Sequence, residues 1–256
     1  MTILGTKISS AQFGRLHIFY VGQAGFIFKS PQGYLSAVDL YLSDCVERFE
    51  NTLKFKRLIP NILNPFECSF DAVIATHPHL DHLDIDSVPI LMSSRRTRLF
   101  ASLNCESELR KRHINLDNTN FVKPGDSFVN GDVQFKFVDC DHGIETPDAV
   151  GVLIEIANKR IYLTGDTCLR MDRVPMILNE GAVDILIAPI NGAYGNMNEE
   201  ECAAFAAALK VKLVIPCHYG MFAAHGGDVG KFMDIMNLKY PELKYYIMTP
   251  GEQLTL

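Results

Sequence analysis

The sequence predicts a mixed α/β fold built on β-sheets. Short apolar runs recur along all 256 residues, Gly, Pro and Asn punctuate them, and long helical patterns are few. No internal repeat, low-complexity tract or linker interrupts this pattern, so residues 1–256 read as a single domain. The hydrophobic fraction of 48% is enough for a large core, and the charged fraction of 21% is too low for disorder. A formal net charge of −6 excludes the electrostatic footprint of a general nucleic-acid binder.

Taken in order, 16–21, 25–29 and 34–39 read as strands of an antiparallel meander, the first two joined through Gly22-Gln-Ala-Gly25. Residues 43–70, with a charged stretch and Pro60 and Pro65, read as a helix and loop excursion. A strand over 70–75 runs into a polar loop, followed by a helix over 85–92, a strand over 99–101 and a helix ending near 113. Asn130-Gly131 marks a hairpin leading into an alternating strand over 133–138. Strands over 150–156, 160–164, 184–189 and 212–216 then alternate with helices over 199–210 and 228–238. The first of these helices has Glu199, Glu200 and Glu201 in its first turn and Lys210 at its end, as the helix dipole favours.

Residues 1–10 contain no apolar core of signal-peptide length, and no stretch reaches a membrane span. Seven cysteines, an odd number without a C-x-x-C pair, suit free thiols in a reducing cytoplasm.

The chemistry concentrates in His77-Pro-His79-Leu-Asp81-His82. Imidazole nitrogen and carboxylate oxygen are ligands for zinc, manganese and iron. In an extended segment His77 and His79 point to one side and can chelate one ion, while Asp81 and His82 lie past a turn and can face a second. Completing two sites takes donors from later strand ends. His142, Asp166 and His218 each close an apolar run and open a polar loop, where functional residues collect.

This ordered set resembles the metallo-β-lactamase-fold hydrolases: H-x-H-x-D-H, a later His142, Gly165-Asp166 after a strand, and a final His218. The resemblance spans roughly residues 16–220. It implies an αββα sandwich of two facing sheets flanked by helices, with the metals at one edge. It further implies one ion on His77, His79 and His142, and a second on Asp81, His82 and His218, with Asp166 bridging. Residues 60–66, 71–77, 123–126 and 214–218 look like the L-ascorbate-6-phosphate lactonase branch. The expected reaction is hydrolysis of a small-molecule ester, foremost a lactone, by a hydroxide between two divalent ions. Asp81 and Asp166 would orient the water, with Asp81 taking its proton. A phosphodiesterase, another esterase, or a non-hydrolytic or redox metal-binding member remain as alternatives. The metals would be zinc or manganese, with iron open. The expected partners are a small molecule such as a phosphorylated sugar lactone, and a second copy of the chain, with no nucleic acid and no membrane.

Around the motifs, Tyr219 and His225 are candidates for substrate binding or for protonating the leaving group. Cys140, Cys168 and Cys217 read as small buried hydrophobes in preference to thiolate ligands. Asp39 reads as a backbone-holding residue and Asp141 as an acceptor behind His142. Arg95, Arg96 and Arg98 read as a solvated face, with Arg170 and Arg173 better placed for a phosphate.

Overall fold

The computed structural model describes residues 1–256. The first half holds α1 (Ile3–Ser10), β1 (His17–Gly22), β2 (Gly25–Lys29), β3 (Leu35–Val38), α2 (Cys45–Glu50), β4 (Ala72–Ala75), α3 (Val88–Leu91), β5 (Arg98–Ser102), α4 (Cys105–Lys111) and β6 (Thr119–Val122). The second holds β7 (Ser127–Asn130), β8 (Val133–Asp139), β9 (Val150–Ile156), β10 (Lys159–Leu163), α5 (Val174–Asn179), β11 (Ile185–Pro189), α6 (Glu199–Leu209), β12 (Leu213–Cys217), α7 (Val229–Lys239), β13 (Lys244–Tyr245) and β14 (Gln253–Thr255).

These strands form two seven-stranded sheets, in the orders β14-β1-β2-β3-β4-β5-β6 and β13-β12-β11-β10-β9-β8-β7. Each sheet is half antiparallel and half parallel. The meander expected from the sequence holds for β1–β3 and for β7–β10, whereas β3 to β6 and β10 to β13 pair in parallel. Parallel neighbours require crossovers, and the segments carrying α2, α3 and α4 in one sheet and α5, α6 and α7 in the other supply them.

Strand alternation sorts side chains into layers. Ile18, Tyr20, Phe26 and Phe28 face Phe135, Phe137, Val152 and Ile154 in the core between the sheets. Phe19, Val21 and Ile27 turn outward under α1, α3 and α4, packing on Leu4, Ile8, Val88, Leu91 and Leu109. Leu186 and Val214 turn outward under α5, α6 and α7, against Ile177, Phe205 and Phe232. Burial on both faces explains why these strands read as continuous apolar runs. Each fully buried Leu, Ile, Val or Phe contributes roughly 1.5–3 kcal/mol. The result is the αββα sandwich of the metallo-β-lactamase fold.

Helix details differ from the sequence expectation: α3 forms only over Val88–Leu91 of the expected 85–92. α6 starts on a capping box, in which Asn198 Oδ1 accepts from the amides of Glu200 and Glu201 while Glu201 accepts from the Asn198 amide. It ends one residue early, because Lys210 adopts the left-handed conformation as its cap. α1 was not expected. Its cap is Thr2, whose hydroxyl accepts from Gly5 N, and it buries only Leu4, Gly5 and Ile8. No helix is long and apolar enough to cross a membrane.

Candidate metal centre

The C-terminal ends of β3, β4, β8, β10 and β12 meet at one edge of the sandwich, and each delivers side chains to one buried cluster. β4 runs into Thr76 and His77, β8 into His142, β10 into Asp166 and β12 into His218. Three sets of donors form, each with ligand atoms within 4.8 Å of one another: His77, His79 and His142; His77, His82 and Asp166; and Asp81, His82 and His218. All seven sequence-derived ligand candidates are therefore brought together.

The first set is made of ring nitrogens. His77 Nε2 and His142 Nε2 lie 3.0 and 3.1 Å from His79 Nδ1. The second half is mixed. His218 Nε2 lies 3.1 Å from Asp166 and 3.4 Å from Asp81, and His82 Nε2 lies 3.4 Å from Asp166 and 3.7 Å from Asp81.

Behind the donors stands Asp39, fully buried and left-handed at φ 51°. Its carboxylate accepts from Thr76 N at 2.8 Å, from Thr76 Oγ1 at 2.7 Å and from His82 Nδ1 at 2.8 Å. These bonds fix two tautomers. Thr76 Oγ1 spends its proton on Asp39, so at 3.0 Å it accepts from His77 Nδ1–H, which leaves the His77 Nε2 lone pair facing the cluster. His82 donates Nδ1–H to Asp39 directly, and its Nε2 faces the other donors. Asp39 thus aims two candidate ligands at once, one of them through Thr76. The backbone-holding role expected of Asp39 covers only part of what it does here.

The electrostatics divide the cluster. Burial holds the His77 imidazolium form off strongly, and burial also lowers His142 to about 4, so both rings are uncharged and carry a lone pair at neutral pH. Burial would lower His82 and His218 too, but Asp166 and Asp81 outweigh it, and His218 rises to about 9. Burial works against ionising Asp81 and Asp166, yet His82 and His218 hold both well below the usual carboxylate range. Lone pairs converging within hydrogen-bond distance, beside two ionised carboxylates, form a donor set that a divalent cation fits.

Residues outside the seven fall into two groups. His225 lines the cleft above the cluster, its ring stacked on His218 at a centroid separation of 4.8 Å. Tyr219, the other substrate-binding candidate, does not line it. His218 takes a left-handed φ of 63°, which turns the following side chain away, and the Tyr219 hydroxyl donates to Met248 O at 2.7 Å. Asp141 pairs with Arg170 instead of backing His142, whose Nδ1 has no partner. Arg170 also pairs with Asp172, and Arg173 with Asp139, so neither phosphate candidate reaches the cleft. Arg96 pairs with Asp71, away from the donors. Two residues were missed by the sequence reading. Asn196 Nδ2 donates to Asp166 Oδ2 at 2.7 Å, and Gln23 enters the second donor set from the β1–β2 turn. Neither amide carries a ligand signature in sequence.

The cysteines contribute no donor. Cys140 donates its thiol to Asp166 O at 2.9 Å, and burial pushes the Cys140 and Cys217 thiols up, which keeps them protonated. Cys217→Ser is expected to leave the metal content of the purified protein at the wild-type value by elemental analysis; loss of an ion on that change alone would place a thiolate in the site.

The fold and this cluster define a member of a metal-binding hydrolase superfamily. The chain belongs to the family described as the Beta-lactamase superfamily domain, whose match covers residues 41–219. It is similar to a UPF0173 metal-dependent hydrolase of Carboxydothermus hydrogenoformans, 28% identical over 202 residues, covering 76% of this chain and 85% of that protein. Among solved structures it is similar to Igni18, a metallo hydrolase of Ignicoccus hospitalis, with a TM-score of 0.72 and 21% identity over 94% of this chain and 98% of that one. An isothiocyanate hydrolase from Delia radicum gut bacteria has a TM-score of 0.75 at 18% identity, with the same coverage of both chains.

Proposed function

We propose that the protein is a metal-dependent hydrolase that cleaves an ester bond of a small, uncharged molecule, a lactone among the candidates. The observation that carries the reading is the convergence of seven nitrogen and carboxylate donors in one cluster, five of which (His79, Asp81, His142, Asp166 and His218) line one cleft. His77, His79 and His142 would hold one divalent ion, and Asp81, His82 and His218 a second, with Asp166 between them. Such ions supply a water of lowered pKa and a Lewis acid for the scissile carbonyl or phosphoryl oxygen.

The chain's own groups do the rest. Asp81 and Asp166, ionised at neutral pH, would orient water by accepting its hydrogens, Asp81 being the carboxylate assigned to take the proton. Asn196 fixes the Asp166 carboxylate by donating to Oδ2. The cleft, of 410 Å³, has apolar walls from Val46, Phe55, Leu80 and Phe222, joined by Tyr194 and His225. Phe55 packs against Tyr194, Phe222 and His225 at centroid separations of 6.0, 5.9 and 5.8 Å, so one aromatic wall excludes water and receives the organic part of the substrate.

The lining carries Glu50 and Glu108 and no lysine or arginine. A phosphate group held away from the metal-ligand cluster would therefore find acidic side chains and no lysine or arginine, which is why an uncharged ester is favoured over a phosphorylated sugar lactone. The test is a panel of neutral lactones and aryl esters set against their phosphorylated counterparts and phosphodiesters, with protein loaded with zinc or manganese. Hydrolysis is expected to be fastest for the neutral esters. Turnover confined to the phosphorylated compounds would overturn the substrate reading, and no turnover of any ester, with both metals bound, would overturn the hydrolase reading.

A further inference from the structure

Gln23 sits in the tight turn between β1 and β2, fully buried, in a left-handed conformation (φ 55°) that residues other than glycine seldom adopt. Its backbone is locked. Gln23 O accepts from His218 N at 2.7 Å and from the Tyr20 hydroxyl at 3.0 Å, so the turn is stapled to the loop that carries a candidate ligand. The side chain then has one place to go. Its Nε2 lies 2.8 Å from Asp81 Oδ2, 3.0 Å from His218 Nε2 and 2.9 Å from His225 Nδ1, while its Oε1 is buried without a partner.

This arrangement puts an amide nitrogen beside the Asp81 carboxylate and two imidazole nitrogens, in a position where a cation would satisfy the same three atoms. It also strands a carbonyl oxygen, which is costly when buried. Half a turn about the last side-chain torsion exchanges the two atoms and brings Oε1 toward Asp81 and His218, among donors that would hold the second ion. We propose that Gln23 is a further ligand of that second ion, giving it an amide oxygen. The proposal rests on the two-ion reading above. An added oxygen raises the ligand count and the hardness of the second site, which favours manganese over zinc there.

The test is manganese binding by calorimetry, with the spin-resonance signal of the bound ion and elemental analysis alongside. Gln23→Asn keeps a residue tolerant of the left-handed backbone and withdraws the amide by one methylene. Gln23→Glu keeps the reach and supplies an oxygen. In wild type two manganese ions are expected. In Gln23→Asn the weaker-bound ion should lose about 10–100-fold in affinity, as removal of a metal-supporting group does, with an unchanged first site. In Gln23→Glu the second ion should be retained. Circular dichroism and thermal melting of the metal-free proteins establish that both variants fold. If Gln23→Asn binds both ions as wild type does, or Gln23→Glu loses the second ion as Gln23→Asn does, the proposal is overturned while the hydrolase reading stands. If folded wild type binds no second ion, the two-ion reading and this proposal fall together.

Discussion

Asp166→Ala is expected to lower turnover of a hydrolysable lactone by about 10²–10⁴ or more, the scale for loss of a central catalytic group. Asp166 is the one carboxylate that reaches both halves of the cluster, at 3.9 Å from His142, 3.4 Å from His82 and 3.1 Å from His218. Its removal takes away a bridging donor and one of the two carboxylate charges among the candidate ligands. Bound metal should fall with turnover, and elemental analysis of the same preparation links the two losses. Full turnover in Asp166→Ala would mean that hydrolysis does not run through this cluster.

The largest effect on stability is expected at Asp84, two residues beyond His82 and fully buried. Its carboxylate accepts from Leu42 N and Ser43 N at 2.8 Å, from the Ser43 and Ser87 hydroxyls at 2.7 and 2.8 Å, and from Asp86 N and Ser87 N at 3.1 and 3.2 Å. Asp84→Ala orphans these donors, and each donor left buried costs about 1–3 kcal/mol. A loss of at least ~3 kcal/mol follows, which for a chain of this size lowers Tm by roughly 6–12 °C. A calorimetric melt of Asp84→Ala within a degree or two of wild type would show that water replaces the carboxylate and that the segments around Leu42 and Ser87 do not depend on it.

The comparison of Asp84 with Asp81 shows what a motif can disclose. Both acids lie in one short polar stretch, yet one faces the donors and the other faces backbone amides, hydroxyls and the Cys45 thiol. The seven ligand candidates were legible because each lies in a polar loop that follows an apolar strand and bears a chemically distinctive side chain. Gln23 and Asn196 were not, since an amide has no ligand pattern and only the fold brings the β1–β2 turn beside His218. Tyr219 was misread because adjacency in sequence says nothing about direction once the preceding residue has a positive φ. The strands themselves were legible from apolar runs. Their pairing was not, because a run buried on both faces fits parallel and antiparallel neighbours equally. β6 escaped notice because it is half-exposed and short. α1 escaped because eight residues with a central glycine and a Thr–Ser-rich surface show little amphipathic signal.

The pairing of β14 with β1 has a consequence for biosynthesis. His17 registers with Thr255, and the ring of His17 contacts the Thr255 hydroxyl across 238 residues of chain. During translation the outer edge of β1 leaves the ribosome early and stays unpaired until its partner has been made. For that interval an open apolar strand edge invites association with other nascent chains. Closing a loop of this length is also slow compared with forming the neighbouring hairpin of β1 and β2. Chaperone dependence and yield in the cell should therefore respond more to changes in residues 253–255 than their small share of the buried core suggests. A strand that touches no candidate ligand would then govern how much protein reaches the state in which the donors meet.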